Sequence, residues 1–458
     1  MGKEKTVNEG PIYDARTLGP SKMFILGLQH MFAMFGATVL VPALTGLDVA
    51  TTLLFAGLGT LLFHLLTKGK VPAFLGSSFA FIGGYNAVRT IGTNPDGSAI
   101  YNNDLLAYAC FGVAIAGLMY IILSSLFKIF GVKKVMRYFP PIVTGPIIIC
   151  IGMTLANSAI NNCTGSWDIA LVAILTVVIF NIWGKGMLRI IPILLGVLVS
   201  YVYAAVTGRV DFSGVASAAW IGLPVKMENT VFSLIGNCDA NLLVTAIIAI
   251  MPIAFATMIE HIGDICAISS TVGANFIADP GLHRTLLGDG LATSIASLFG
   301  APANTTYGEN TGVLALTRVY DPLVIRLAAV YAIIASFCPK FAALVSAMPT
   351  GTIGGVSLIL YGMISAIGVR NLVENRVDLA KSRNVIVVSL IISLALGITF
   401  STAGAITFHV GEFTLNFSGL AVAAIVGIVV NAILPGKDYN FQNDYEYGKT
   451  TEDHGQML

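Results

Sequence analysis

Charge is what this 458-residue sequence has least of. Asp, Glu, Lys and Arg make up 11% of it, against roughly 25% in a soluble globular protein. With 56% of the residues hydrophobic, there is too little polar surface to cover a soluble fold, so the composition points to a polytopic membrane protein. A net charge of +1 and the lack of any basic patch exclude nucleic acid as a partner. Cysteine is scarce as well: Cys110, Cys150, Cys163, Cys238, Cys266 and Cys338 are scattered without a CxxC pair, which argues against a disulfide framework and a zinc site. HExxH, GxSxG and Walker A patterns are missing too. No metal, no cofactor and no enzymatic activity are therefore expected. The first twenty or so residues are polar, where a secretory signal would place an apolar run after a short basic stretch, and the first apolar segment is expected to be a retained span.

What the chain has in abundance is apolar runs of spanning length. A helix crossing about 30 Å of hydrocarbon needs roughly 20 apolar residues. Such runs lie near 23–43, 51–67, 105–127, 139–157, 168–184, 188–207, 242–262, 285–300, 320–338, 352–369, 384–400 and 417–434. Two further stretches, 72–90 and 302–318, could sit at the same depth, but Gly, Pro, Ser, Thr and Asn interrupt them. Counting both predicts an all-α fold of fourteen spans with both termini in the cytoplasm. That topology puts every Lys and Arg on the cytoplasmic side except Arg89, Arg209, Lys226 and Lys340, as the positive-inside rule requires. The segments 90–103 and 208–240 read as extracytoplasmic loops, and the tail from Pro435 onward as a polar, disordered end.

The interrupted stretches carry the candidate site. In lipid, non-helical backbone is tolerated only where protein or a cavity shields it. The runs Pro72–Phe81 and Pro302–Gly312 occupy matching places in the two halves, the plan of an inverted seven-plus-seven repeat whose broken helices meet at the midplane. The starts of their helical halves would offer free N–H groups to a ligand's carbonyl oxygens. The alternative, helices merely kinked by Gly and Pro, leaves Glu309 unexplained. Ionisable residues inside spans cost about 2.5–3.5 kcal/mol on insertion scales and mark functional sites by default. Glu260, Asp264 and Glu309 are read in this way. Glu260 and Asp264 are four apart, hence on one helix face, and two such carboxylates in a dry site share a proton near neutral pH. Asp264 could instead be a solvated residue at the cytoplasmic end of its helix. His30 and His261 are either hydrogen-bonded packing residues or proton carriers, while His64 and His283 read as span-end or loop residues.

The runs LQHMFAMFGATVLVP (28–42), KGKVPAFLGSSFAF (68–81), DPGLHR (279–284) and NTTYGENTGVLALTRVY (304–320) resemble the nucleobase–ascorbate transporter family, also called nucleobase–cation symporter family 2, and within it the bacterial uracil permeases. The resemblance covers about 20–435. The family signature [QE]-N-x-G-x-x-x-x-T-[RK] is matched by Glu309, Asn310, Gly312, Thr317 and Arg318. It implies a multi-pass protein of the cytoplasmic membrane, built of two inverted seven-span repeats with short antiparallel strands in the broken spans. The implied layout is a cytoplasmic tail (1–21), a core domain (22–133 and 241–340), a gate domain (134–240 and 341–435) and a second cytoplasmic tail (436–458). Core would slide against gate in an elevator-type motion within a homodimer.

Carried over by position, the resemblance implies that Glu260 and Glu309 hold the nucleobase and that the backbone N–H groups of Phe79 and Gly308 reach its carbonyls. Tyr307 and Ala37 line the pocket, Tyr361 contacts substrate from the gate, and Ser78 positions Glu309. Uracil is planar and uncharged, so concentrating it requires an ion; protonation of Glu260, Glu309 or their neighbours would supply proton coupling. Uracil permeases have histidine four residues after the first glutamate, where this chain has Asp264, as purine carriers do; Asp264 is the candidate replacement and His30 the next. Glu309, by contrast, follows the uracil carriers. Uracil import is the expected function, with xanthine or another purine as the alternative, and a uniporter or anion carrier on the related fold as a more distant one.

Overall fold

The computed structural model describes residues 10–93, 99–236, 238–410 and 413–436. The C-terminal tail beyond 436 and the tip of the 90–103 segment lie outside them. In chain order the first half comprises α1 (Pro20–Thr45), α2 (Val49–Leu66), β1 (Leu75–Ser77), α3 (Ile82–Arg89), the short strands β2 (Thr90–Thr93) and β3 (Ala99–Tyr101), and α4 (Leu106–Phe130). It continues with α5 (Val132–Met136), α6 (Pro141–Cys163), α7 (Trp167–Trp183), α8 (Met187–Ile190), α9 (Pro192–Val206) and α10 (Ser213–Ser217). The second half holds α11 (Ala240–Ile250), α12 (Ile253–Val272), α13 (Leu282–Leu298), β4 (Asn304–Thr306), α14 (Gly308–Thr317), α15 (Pro322–Ser336) and α16 (Pro339–Ser346). It ends with α17 (Thr350–Glu374), α18 (Ser382–Thr399), the hairpin β5 (Ala405–Val410) and β6 (Phe413–Ser418), and α19 (Gly419–Ile433).

The helix ends follow from local chemistry. Asp48, Asp239 and Asp321 cap α2, α11 and α15 through backbone N–H groups of the first turn. α1 ends on Gly46, whose φ of 80° closes the last turn in the left-handed region. Among the described residues seven helices are long and apolar enough to cross a membrane, and an eighth is reached if α15 and α16, bent by 87°, count together. Thus the chain is a multi-pass, predominantly helical membrane protein.

The packing partners repeat between the halves. α4 packs on α13 as α2 does on α15, α7 on α9 as α18 on α19, α7 on α17 as α6 on α18, and α1 on α15 as α4 on α11. α6 and α17 pack on each other. Exchanging each first-half helix with its second-half counterpart therefore maps the contacts onto themselves. Small residues permit the closest approaches: Gly117 in α4 and Gly290 in α13 face one another, and a Cβ on either would lie 2.7 Å from the other's carbonyl oxygen. Two groups of helices result, α1–α4 with α11–α15 and α6–α9 with α17–α19, each packed chiefly within itself.

Three features depart from the sequence reading. The run at 242–262 is two helices, because Pro252 interrupts the backbone ladder, and the second continues to Val272. Asp264 is thus mid-helix, not at a helix end. Both 90–101 and 405–418 contain antiparallel hairpins. His64, read as a span-end residue, does lie in the last turn of α2 but is buried, its Nε2 lying 2.9 Å from the Ala73 carbonyl oxygen.

Candidate functional site

The two interrupted stretches meet as strands. β1 and β4 pair antiparallel, Leu75 opposite Thr306, Gly76 opposite Thr305 and Ser77 opposite Asn304. Ser78 N–H donates to the Ala303 carbonyl at 2.8 Å and Tyr307 N–H to that of Phe74 at 3.0 Å. Side chains of the surrounding helices satisfy what the strands leave over. Thr60 Oγ1 accepts from Leu75 N–H at 2.9 Å and donates to the Leu75 carbonyl at 3.1 Å. Thr293 donates to the Asn304 carbonyl at 2.6 Å, and the Asn304 amide to that of Phe55 at 2.8 Å. This is how extended backbone is held deep inside an apolar protein. Each strand runs into a short helix, α3 or α14, whose N-caps Phe81 and Tyr307 supply no side-chain capping bond. In α3 the first N–H, that of Ile82, donates to the Phe79 carbonyl at 3.1 Å, whereas the start of α14 has no side-chain cap to take its first N–H groups.

Tyr307 serves the strand pair itself. Its hydroxyl donates to the Ser77 carbonyl at 2.9 Å and lies 3.2 Å from both Thr38 Oγ1 and Ser77 Oγ; Ser77 Oγ in turn donates to the Thr38 carbonyl at 3.0 Å. The ring lies over Gly76, where a Cβ would come 2.5 Å from ring carbons, so glycine is required there. Tyr307 and Ala37 are both buried.

The acidic side comes from α12. Glu260 and Asp264 are half-buried, one turn apart. Thr306 Oγ1 donates to Asp264 Oδ2 at 2.8 Å. Gly308 is exposed although its neighbours 301–307 are buried, and a Cβ built on it would meet only Asp264 Oδ1, at 3.8 Å. The first residue of α14 therefore faces open space with a carboxylate at its margin, a placement the helix dipole favours. Glu309 follows in α14; its side chain lies outside the described residues. Phe79 meets Tyr361 of α17 edge-on at 6.1 Å between ring centres, which brings the two helix groups into contact here. Ser78 Oγ is buried without a hydrogen-bond partner among the described residues. His30 is fully buried; the Asn310 amide donates to its carbonyl at 3.1 Å and lies 3.2 Å from its Nδ1. Among the described residues no group of three or more His, Cys, Asp or Glu could hold a metal, and all six cysteines are free.

Sequence reasoning missed Asp289. It is fully buried in α13, and its Oδ2 lies 3.1 Å from His261 Nδ1. It stands inside the apolar run read as 285–300, so the rule that singled out Glu260 would have found it too. Thr306 was also overlooked, for threonine in a broken span carries no signal of its own.

Known proteins resemble this chain closely in sequence and more distantly in fold. The profile described as "Permease family" matches residues 21–404. "Uracil permease" of Bacillus caldolyticus is 42% identical over 446 residues, covering 95% of this chain and 96% of that protein. "Uracil permease" of Bacillus subtilis (strain 168) is 39% identical, covering 99% and 100%. "Putative pyrimidine permease RutG" of Escherichia coli (strain K12) is 36% identical, covering 95% and 94%. Among solved structures, the transmembrane domain of a cyanobacterium bicarbonate transporter, BicA, superposes with a TM-score of 0.56 at 13% identity, covering 92% of this chain and 99% of that one. The murine Slc26a9 anion transporter gives 0.58 at 10% identity, covering 93% and 69%. At such identities these two establish the fold alone.

Proposed function

The chain belongs to the permease family of the bacterial uracil permeases, nucleobase–cation symporter family 2, and from that premise we propose that it imports uracil across the cytoplasmic membrane as a proton-coupled symporter. A permease moves its substrate unchanged, so the chain is a transporter and not an enzyme. The observation that carries the reading is the exposed start of α14 at Gly308 with Asp264 beside it. Uracil has two N–H donors and two carbonyl acceptors. The backbone N–H groups of Phe79, in the turn that leads into α3, and of Gly308, at the start of α14, suit its carbonyls, and the carboxylates Glu260 and Glu309 suit its N–H groups. Tyr307, Ala37 and Tyr361 complete the pocket. Glu260, Asp264, His30, Ser78 and Glu309 form the proton-handling set.

In this reading the chain has fourteen spans in two inverted repeats, with both termini cytoplasmic. The exchange symmetry of the packing and the antiparallel β1–β4 pair support that arrangement. The helices of 22–133 and 241–340 form the core domain and those of 134–240 and 341–435 the gate. Core slides against gate as an elevator within a homodimer. Anion carriage, as named for the structural neighbours, fits poorly because Glu260 and Asp264 would repel an anion.

Uptake of radiolabelled uracil into proteoliposomes is the test. It is expected to rise several-fold with an inward proton gradient, and indifference to the gradient rejects the coupling. Competition by xanthine decides the second reading, which Asp264 favours: displacement of uracil by xanthine at lower concentration than by uracil itself would reassign the substrate.

A further inference from the structure

Residues 219–223, in the connection between α9 and α11, are pinned to the bend between α15 and α16. Gly222 N–H donates to the Phe337 carbonyl and Lys340 N–H to the Ala219 carbonyl, both at 3.0 Å, and Thr51 Oγ1 lies 2.6 Å from the Pro224 carbonyl oxygen. A Cβ at Gly222 would come 2.6 Å from Pro339 Cγ, so the backbone lies closely on the bend. The large side chains are left outside: Trp220 is 71% exposed, Ile221 84% and Leu223 82%. Neighbouring apolar side chains held out in this way are unfavourable in water and mark a contact surface. Their depth follows from the fold. α15 packs along α1 and α2, both of spanning length, and α16 turns 87° away from it, so the bend marks the end of a span. Ala15 N–H bonds to Asp321 at the other end of α15, which puts the bend on the side of the membrane away from Ala15.

We propose that Trp220, Ile221 and Leu223 dock into the bilayer at the boundary between headgroups and hydrocarbon. Tryptophan concentrates at that boundary because its ring is apolar and its N–H polar. Lys340 Nζ lies 4.8 Å from the centre of the Trp220 ring, and a lysine at this depth keeps its stem on apolar surface and its ammonium among the phosphates. The patch also continues the lipid-facing side of a span, for Ile334 in the last turn of α15 and Phe337 at the bend are exposed as well. A second copy of the chain is the poorer fit. An interface of ordinary size takes roughly 800 Å² from each partner, far more than three side chains expose. In the orientation proposed above the boundary is that of the outer leaflet; the docking itself depends on neither the substrate nor the coupling.

Tryptophan fluorescence of the full-length protein in phosphatidylcholine vesicles tests this without any substrate. The chain has three tryptophans, Trp167, Trp183 and Trp220, so W167F/W183F leaves Trp220 alone to report. Boundary segments bury their apolar side chains about 5–10 Å deep. Lipid brominated near the headgroup end of its chains is therefore expected to quench the emission by roughly half, and lipid brominated near the chain ends to quench it less. Iodide in the water is expected to have little effect. Adding I221N/L223N, which leaves the backbone pairing in place, is expected to lower the quenching by bromine severalfold and to open the ring to iodide. Emission indifferent to bromine and open to iodide would put the segment in water. Emission shielded from both would put it against protein, a second copy included. Either result overturns the proposal, as does bromine quenching left unchanged by I221N/L223N. Should W167F/W183F fail to fold, the difference in emission between the native chain and W220F carries the same comparison. A chain that fails to transport uracil but shows this quenching rejects the substrate and keeps the docking.

Discussion

The hydroxyl of Tyr307 lies where β1, β4 and α1 meet, and its neighbours are all buried. Tyr307→Phe removes the donor to the Ser77 carbonyl and leaves buried oxygens facing each other, which is expected to destabilise the protein by about 1–3 kcal/mol. Thermal unfolding in detergent measures it. Thr38→Val on top of Tyr307→Phe should add little, since the same bond is already gone. Gly76→Ala is expected to be worse for transport than for folding. Its Cβ would press on the Tyr307 ring at 2.5 Å and on Thr38 Oγ1 at 2.8 Å, and relief requires β1 to move away from β4. Uracil uptake should fall by more than about tenfold, since misplacing a site by an ångström costs that order. At the surface the balance reverses. The Lys70 ammonium, bonded to the exposed Asp279, holds that carboxyl below the usual carboxylate range. A folded-state pKa below the unfolded value means stabilisation is present above the unfolded value of about 3.9 and is lost as pH falls further. Screening by solvent keeps it small. Asp279→Asn should lower the unfolding midpoint only slightly at pH 7, and that small difference from the native chain should vanish as pH falls through the acid range.

Elements defined by apolar length were legible in the sequence, and elements defined by pairing were not. The runs at 23–43, 105–127 and 384–400 became α1, α4 and α18 because twenty consecutive apolar residues have few alternatives to a helix in lipid. The interrupted stretches were recognisable from their Pro, Gly and Ser, yet the register of β1 against β4 joins residues some 230 positions apart, which no local pattern encodes. The same holds for His261 and Asp289: each is visible alone, and only the packing of α12 on α13 makes them a pair. The N-terminal segment was read as a plain tail, but from Ile12 it is a strap. Ile12 lies beside Val319, its N–H donating to the Arg318 carbonyl and its carbonyl accepting from Tyr320 N–H, both at 2.8 Å, and Tyr13 O–H donates to the Val272 carbonyl at 2.8 Å. Ala15 N–H donates to Asp321 Oδ2 at 2.8 Å. The strap thereby ties the ends of α12 and α14, the helices that carry Glu260, Asp264 and Gly308, to the start of α15. Asp321→Ala removes both the strap bond and the cap on Leu323 N–H. A cost of about 0.5–2 kcal/mol is expected for the cap. Amide exchange should quicken at 12–15 and 318–323 together, and faster exchange confined to α15 would mean that the strap is held by other contacts.

At the scale of the whole molecule, the elevator reading depends on the surface between the two helix groups, where α1 meets α9 and α17 and where α12 meets α6 and α19. A sliding surface must be smooth, and α1 presents Gly36 to α9. A Cβ at Gly36 would lie 2.6 Å from Ile193 Cγ2 and 3.6 Å from the Leu194 backbone nitrogen. Overpacking of this kind costs about 1–3 kcal/mol in the arrangement that suffers it. If the groups keep their mutual position through the transport cycle, Gly36→Val acts on stability alone, and binding and uptake fall in proportion to the folded fraction. If they slide, the added methyls penalise the arrangement seen here relative to those in which Gly36 has left Ile193, and the populations shift by the same energy. A bias of that size changes the ratio of two states by roughly fivefold to a hundredfold. Uptake per folded molecule is then expected to fall while uracil binding is largely retained, and Ile193→Ala combined with Gly36→Val should restore uptake by reopening the space. Binding and uptake lost in equal measure, with no rescue by Ile193→Ala, would place the substrate pathway within one helix group and remove the sliding motion from the mechanism.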